Sequence, residues 1–231
     1  MPRIARVVAV GYPHHITQRG NYRQKIFSED ADYKKYISTL KEESEQYNLI
    51  ILAYCLMPNH VHVIGIPEKE DSLAKVFKYA HMKYSQYYNK KMRTSGHLFQ
   101  GRFFSSAMDE VYTLACARYV ERNPVRAKIV KKPCQYDWSS AKAHCEIGQP
   151  DKLGVNKLFN YIEEEQKIWR DFIETPDSAG EMKIIRDSTR NGRPVGTNSF
   201  VGKLEANLGR FLKQKSKGRP KKEEKKVSVP I

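Results

Sequence analysis

The chain lacks an apolar run long enough to cross a membrane. Its longest uninterrupted apolar stretch is Leu49–Met57, nine residues, whereas a membrane-spanning helix needs about 20. Near the beginning of the chain, the apolar stretch 7–10 is far too short for the hydrophobic core of a secretory signal. These two absences exclude a helical membrane protein, and we expect a cytoplasmic protein with no membrane partner.

Cysteine is scarce, and internal repetition is missing. The four cysteines include no Cys-x-x-Cys pair, so neither a zinc knuckle nor a disulfide framework is predicted; they are Cys55, Cys116, Cys134 and Cys145. No segment recurs at a fixed period along the chain. Apolar residues nevertheless make up 40% of the sequence and aromatic residues 11%, which excludes a wholly disordered protein.

Acidic residues are fewer than basic ones, and the excess of positive charge is not spread evenly along the chain. The sequence contains 26 Asp and Glu residues and 41 Lys and Arg residues, which gives a formal net charge of +15. The expected partner is therefore a polyanion such as nucleic acid. Residues 210–226 hold nine basic and two acidic residues, whereas residues 160–181 hold seven acidic ones. We predict three parts: a body over residues 1–148, an acidic helical connector over 149–190 and a basic C-terminal module over 191–231.

The order of elements in the body predicts an α+β fold. Apolar runs of period two predict strands, and runs of period 3.6 predict helices. Strands are expected at 7–18, 49–57, 60–66 and 103–108, and helices at 30–47, 72–91 and 109–123. This order favours a ferredoxin-like (RRM-like) antiparallel sheet packed with helices, followed by a helical basic C-terminal extension.

His60 and His62 form the first pattern with chemical meaning. Residues two apart on a strand share a face, so both imidazoles project together while Val61 and Val63 enter the core. Two convergent imidazoles are half of a divalent-metal site, although the same spacing also occurs in purely structural strands. A metal site would need a third ligand.

Tyr119 and Asn123 are candidates to complete such a site. They are four residues apart on a predicted helix and therefore share a face. The phenol of Tyr119 is a potential nucleophile, and the Asn123 oxygen is a potential metal ligand where Pro124 ends the helix. Taken alone, the pair also fits a packed tyrosine and a helix cap, and Tyr112 competes for the role of nucleophile.

Two further histidines are not expected to be ligands. His14 and His15 are neighbours on a predicted strand, so their side chains face opposite ways.

Five stretches, in this order and spacing, resemble the REP-associated tyrosine transposases, which belong to the single-tyrosine branch of the HUH nucleases. The resemblance spans residues 1–145 and includes both histidines of the His-x-His pattern. The five stretches are Pro13–Asn21, Met57–Val63, Leu98–Phe103, Arg118–Arg126 and Asp137–Ser140.

The resemblance implies a metal-dependent transposase that nicks and rejoins single-stranded DNA at hairpins formed by palindromic repeats. It implies Tyr119 as the nucleophile, leaving a 5′-phosphotyrosine link and a free 3′-hydroxyl. It also implies His60, His62 and Asn123 as ligands of a divalent metal, with Mg²⁺ favoured by phosphate and Mn²⁺ by imidazole. No nucleotide cofactor is needed, and either a monomer or a homodimer is compatible with the family.

Basic residues outside this set are candidates for DNA contacts, since single-strand binding combines cationic grooves with aromatic platforms. The candidates in loops are Arg19, Asn21, Arg23 and Arg102. Near the C-terminus, Lys217–Lys222 resembles an AT-hook with Arg219 at its centre, and the alternative is a flexible tail that contacts phosphates without regard to sequence.

The C-terminal module also carries a pattern typical of a short amphipathic helix. Thr197 or Asn198 is the expected cap, and the apolar stripe is Phe200, Leu204, Leu208 and Phe211.

Two functions from different classes stay open at this point. One is the nicking enzyme, cytoplasmic and associated with the nucleoid; the other is a domesticated protein that binds repeat hairpins or RNA without cutting. The presence of both histidines with Tyr119 and Asn123 favours the enzyme, because a binding protein has no chemical need for all four.

Overall fold

The centre of the molecule is a four-stranded sheet in which every neighbouring pair is antiparallel and the strand order is β2–β3–β1–β4. The computed structural model describes residues 6–146, 152–161 and 166–212. The strands are β1 (His14–Arg19), β2 (Leu49–Met57), β3 (His60–Pro67) and β4 (Phe104–Ala107).

Helices cover both faces of this sheet. Within the described residues they are α1 (Asp30–Gln46), α2 (Ser72–Met92), α3 (Glu110–Glu121), α4 (Asn123–Arg126), α5 (Ala141–Cys145), α6 (Leu158–Tyr161), α7 (Gln166–Glu174), α8 (Ala179–Asn191) and α9 (Asn198–Leu208). The expected α+β, ferredoxin-like order is therefore confirmed, and β2 and β3 match their predicted ranges to within one residue.

Alternation along β3 separates the two layers of the core. Val61 and Val63 pack with Ile16 against α1 and α2, while Ile64 and Ile66 pack against α3 on the opposite face. A bulge between Ile51 and Ala53 shifts the register of β2 against β3. The odd-numbered side chains of β3 are therefore covered by α1 and α2. On the opposite face, the even-numbered side chains are the apolar Ile64 and Ile66 towards the end of the strand and His60 and His62 at its beginning.

Helices α3 and α9 each begin with a side-chain N-cap. Asp109 accepts a hydrogen bond from the Tyr112 backbone N–H at 3.1 Å, and Thr197 accepts one from Phe200 N–H at 3.2 Å. Thr197 is one of the two residues that the sequence predicts as the cap of α9, and Asp109 stands at the predicted start of α3.

The first predicted strand and the last apolar stripe need correction. Strand β1 begins at His14 rather than residue 7, because Gly11 has φ +80° and turns the chain just before it. Val7 packs instead beside Phe200 of α9. Phe211 lies beyond the end of α9, where Gly209 adopts φ +59°, and it is 66% exposed rather than part of the stripe.

The segment that contains α7 and α8 packs on the sheet face covered by α3. Trp169, Ile173 and Ile185 are buried in the same apolar cluster as Cys116 and Val120 of α3. The division of the chain into three parts stays a prediction, and its first boundary, Gln149-Pro150, lies outside the described residues. No helix in the described part of the chain is long and apolar enough to span a bilayer.

Replacing Trp169 with Ala should lower the free energy of unfolding by about 3–5 kcal/mol. The indole is fully buried and donates a hydrogen bond to Glu121 Oε2 at 2.9 Å. Urea unfolding of the full chain, followed by circular dichroism, measures the loss. The control is Ile168→Ala on the same helix, where the side chain is 50% exposed and the expected change is within about 0.5 kcal/mol. Equal losses in the two variants would contradict this docking of α7.

Candidate active site

A cavity of about 660 Å³ opens on the α3 side of the sheet and brings Tyr119, His60, His62 and Asn123 together. Strands β1 and β3, helix α3 and helix α8 all contribute to its walls. Among the described residues that line it, none is acidic. The remaining lining residues are His15, Thr17, Gln18, Arg19, Arg23, Gln100, Phe104, Arg186, Thr189 and Arg190.

The register of β1 against β3 places the two histidines in the floor of the cavity. His62 lies opposite Thr17 and His60 opposite Arg19, so these four side chains share one face of the sheet. The His60 and His62 rings have centroids 5.0 Å apart at an interplanar angle of 75°. The two imidazoles therefore project from the same face of the sheet, as the sequence predicts.

Tyr119 lies in the last full turn of α3 and is only 6% exposed. Its ring meets the ring of His62 edge-on, with centroids 5.8 Å apart. Asn123 begins α4 and donates from Nδ2 to the Tyr119 carbonyl at 3.5 Å. Helix α3 ends at Glu121, before Asn123-Pro124 as predicted, so the amide of Asn123 faces the same cavity as the phenol.

Two arginines that the sequence analysis missed contact the phenol. Arg186, on α8, donates from Nε to the Tyr119 hydroxyl at 3.3 Å. The Arg126 guanidinium lies over the ring of Tyr119, 4.2 Å from its centroid. Cationic donors at this position favour a negative charge on the phenol oxygen and on any phosphate beside it.

Arg126 is held in place by a buried carboxylate. Asp177 Oδ2 accepts from Arg126 Nη1 at 2.7 Å and from Arg122 Nε at 3.0 Å. The Asp177 side chain is 6% exposed. The segment before α8 is therefore tied to α3 and α4 next to the candidate nucleophile.

His15 belongs to the site, although adjacency to His14 led us not to expect a ligand there. The two side chains do face opposite ways: His14 bonds the backbone of Ala9 and Tyr12. His15 Nε2 lies 2.9 Å from His62 Nδ1, and His15 Nδ1 lies 2.7 Å from Thr189 Oγ1. The signal was present in the sequence, since one of two neighbours on β1 must share the face of His60 and His62.

The donor set fits a divalent metal. Asn59 Nδ2 donates to the Arg23 carbonyl at 3.2 Å, which orients the amide. Asn59 Oδ1 therefore accepts from His60 Nδ1 at 2.6 Å, and the Nε2 lone pair of His60 is left for a ligand.

Neutral imidazole is the metal-binding form, and the surroundings of both histidines favour it. Burial, with a smaller contribution from Arg19, lowers the pKa of His60 to about 4. Burial and the neighbouring histidines lower the pKa of His62 well below its usual value. No trio of His, Cys, Asp or Glu side chains in the described ranges is arranged to hold a metal. The third ligand that the resemblance implies, the Asn123 oxygen, is outside those four residue types and lines the same cavity.

Of the other residues predicted to contact DNA, only some lie in the cavity. Arg19 and Arg23 line the cavity, whereas Asn21 and the exposed Arg102 are not among its lining residues. Tyr112 is also absent from the lining. Arg219 and the AT-hook-like stretch around it lie outside the described residues.

The chain matches the family model of IS200-like transposases over residues 9–123. That range contains the two histidines of β3, Tyr119 and Asn123, and the match places the chain in the IS200-like transposase family. No curated protein matches the chain.

Among solved structures, the chain is similar to a REP-associated tyrosine transposase bound to a REP hairpin. The TM-score is 0.54 at 18% identity, over 71% of this chain and 99% of that one. A transposase candidate from Deinococcus radiodurans R1 matches with a TM-score of 0.36 at 18% identity, over 52% of this chain and 97% of that one. The first match confirms the expected resemblance in fold, and the second, at that TM-score, carries no argument.

Replacing Asp177 with Ala should destabilise the protein by about 3–5 kcal/mol, because Arg122 and Arg126 would keep buried charges without their partner. Thermal and urea unfolding measure the change. The control is Glu174→Ala, which removes an exposed ion pair with Lys132 and should cost no more than about 1 kcal/mol. A variant of Asp177 as stable as the control would show that this carboxylate does not anchor the two arginines.

Proposed function

We propose that the protein is a metal-dependent transposase that nicks and rejoins single-stranded DNA at hairpins of palindromic repeats through a 5′-phosphotyrosine intermediate. The observation that carries the proposal is the convergence of Tyr119 with His60, His62 and Asn123 in one cavity that arginines surround. Membership of the IS200-like family supports the same class of reaction.

The proposed reaction is a transesterification at phosphorus. The Tyr119 oxygen attacks the scissile phosphate, the bond from phosphorus to the 3′ oxygen breaks, and that oxygen leaves as a 3′-hydroxyl after gaining a proton. Attack by a 3′-hydroxyl on the phosphotyrosine reverses the step and rejoins the strand. Each step exchanges one phosphodiester for another, so no nucleotide cofactor is required.

Tyr119 needs assistance because a phenol ordinarily ionises only near pH ~10. Arg186 already donates to its hydroxyl and would stabilise the phenolate oxygen as the proton leaves. Mg²⁺ or Mn²⁺, held by His60, His62 and Asn123, would supply Lewis-acid stabilisation of the phosphate charge. The low exposure of Tyr119 restricts water near the phosphotyrosine link.

The proposed substrate follows from charge and from the structural neighbour. Arg19, Arg23 and Arg190 line the cavity together with Arg186, and no acid faces them among the described lining residues. Such a lining suits a phosphate backbone. The REP-associated transposase of similar fold is bound to a REP hairpin, which supports a hairpin with single-stranded flanks as the substrate of this chain.

Tyr119→Phe should abolish formation of the covalent protein–DNA adduct, because it removes only the attacking oxygen. The assay uses end-labelled single-stranded hairpins taken from the DNA that flanks the gene, incubated with Mg²⁺ or Mn²⁺ and resolved on a denaturing gel. Tyr112→Phe is the matched control on the same helix and should retain the adduct.

An adduct that survives in Tyr119→Phe but disappears in Tyr112→Phe would transfer the nucleophile to Tyr112. Tight hairpin binding without any adduct, with either metal, would contradict the enzyme and favour the non-cleaving binding protein.

Arg19→Ala combined with Arg23→Ala should weaken binding to single-stranded flanks and reduce the dependence of affinity on salt. Loss of two phosphate contacts lowers the slope of log K against log salt by about 1.4, at ~0.7 per contact. Fluorescence anisotropy over a salt series measures the slope. The control is Lys41→Ala, an exposed residue of α1 on the other side of the sheet. A slope unchanged by the arginine double variant would exclude this cavity rim from the DNA path.

A further inference from the structure

A chain of hydrogen bonds leads from helix α8 to His62. Thr189 Oγ1 lies 2.8 Å from the Ile185 carbonyl one turn earlier on α8. The same oxygen lies 2.7 Å from His15 Nδ1. The other nitrogen of His15, Nε2, lies 2.9 Å from His62 Nδ1.

The donor and the acceptor of each hydrogen bond in this series follow from the number of protons that each group carries. A carbonyl oxygen has no proton, so the hydroxyl of Thr189 must donate to Ile185. With its single proton used, Thr189 can only accept from His15, which places the proton of His15 on Nδ1. His15 Nε2 is then an acceptor.

His62 must consequently donate from Nδ1. A neutral imidazole carries one N–H, so the Nε2 nitrogen of His62 keeps its lone pair. No hydrogen bond within the described residues engages that nitrogen. The planes of the His15 and His62 rings are nearly parallel, with an interplanar angle of 6°, and the bond also restricts the rotation of the His62 ring.

We propose that His15 and Thr189 are positioning residues that hold His62 with Nδ1 protonated and Nε2 presented to a divalent cation, so that α8 forms part of the metal centre. The inference rests on the proposed function in one respect, that a cation binds at this nitrogen. The tautomer of His62 is a property of the metal-free protein and can be measured separately.

The three side chains of this hydrogen-bond relay, Thr189, His15 and His62, are largely buried, which limits the access of water as a substitute partner. Thr189 is 4% exposed, His15 1% and His62 6%. In the reverse direction the Thr189 hydroxyl would donate to His15 Nδ1 and His15 Nε2–H would donate to His62 Nδ1. His62 would then carry its proton on Nε2, the nitrogen that must bind metal. The reverse direction would also leave two oxygens, on Thr189 and Ile185, facing each other with no proton between them. A buried arrangement of that kind is costly.

The first test reads the tautomer directly. Long-range ¹H–¹⁵N correlation spectra of the full-length, metal-free protein, labelled in its histidine rings, distinguish protonated from unprotonated ring nitrogens. His62 is expected to show a protonated Nδ1 and an unprotonated Nε2 in the wild type and in Thr189→Ser, which keeps the hydroxyl. In Thr189→Val, a substitution of similar size, we expect a mixture of tautomers. A protonated Nε2 in the wild type, or the same spectrum in the valine and serine variants, would overturn the relay.

The second test measures Mn²⁺ affinity by calorimetry, without DNA. The Kd should rise about 10- to 100-fold in Thr189→Val, the range typical of losing a residue that orients a metal ligand. His15→Asn should weaken binding similarly, since asparagine is too short to accept from His62. His15→Gln should stay near the wild type, because its amide oxygen reaches the position of Nε2. Circular dichroism confirms that all variants are folded.

The outcomes separate this inference from the proposed function. Wild-type protein that shows the expected His62 tautomer but does not bind Mn²⁺ would contradict the metal-dependent function while supporting the relay. If the Thr189→Val, His15→Asn and His15→Gln variants all bound Mn²⁺ with the wild-type Kd, the positioning role would be overturned. The proposed metal site would then remain supported.

Discussion

The pairing of β1 with β3 is the constraint on which the candidate site depends. Its register sets His62 opposite Thr17 and His60 opposite Arg19. Because side chains alternate along a strand, Val61 and Val63 secure β3 by packing under α1 and α2. A shift of one residue would exchange the two sets and bury the histidines in the apolar layer. The stability of the core and the direction of the imidazoles are therefore consequences of the same register.

Helix α8 contributes to the site as directly as the sheet does. It supplies Arg186 to the phenol of Tyr119 and Thr189 to the relay that ends at His62. Its position is fixed by burial of Ile185 and by the ion pairs of Asp177 with Arg122 and Arg126. An acidic residue of the predicted connector thus stabilises arginines beside the candidate nucleophile, and its negative charge is kept away from the cavity that would receive phosphate.

Local patterns in the sequence were sufficient to predict most elements. Pattern plus family resemblance selected Tyr119, His60, His62 and Asn123, which line one cavity, and their roles stay predictions. The β2–β3 hairpin and α3 were predicted because their apolar periods and caps are encoded within a few residues of each other. The contribution of α8 could not be predicted in this way. Arg186 is an exposed arginine on an amphipathic helix, and only the docking of that helix distinguishes it from a solvated one. Strand parity alone predicts that either His14 or His15 lies on the histidine face, and the register of β1 against β3 selects His15.

The central claim is that Tyr119 forms the covalent bond to DNA, and peptide mapping of the adduct tests it most directly. Trypsin cuts after Arg118 and Arg122, so Tyr119 falls in the peptide 119–122, whereas Tyr112 falls in 103–118. Tandem mass spectrometry of the protein after reaction with a hairpin substrate should find the nucleotide mass on peptide 119–122 alone. The same mass on peptide 103–118, or on any other tyrosine peptide, would contradict the account.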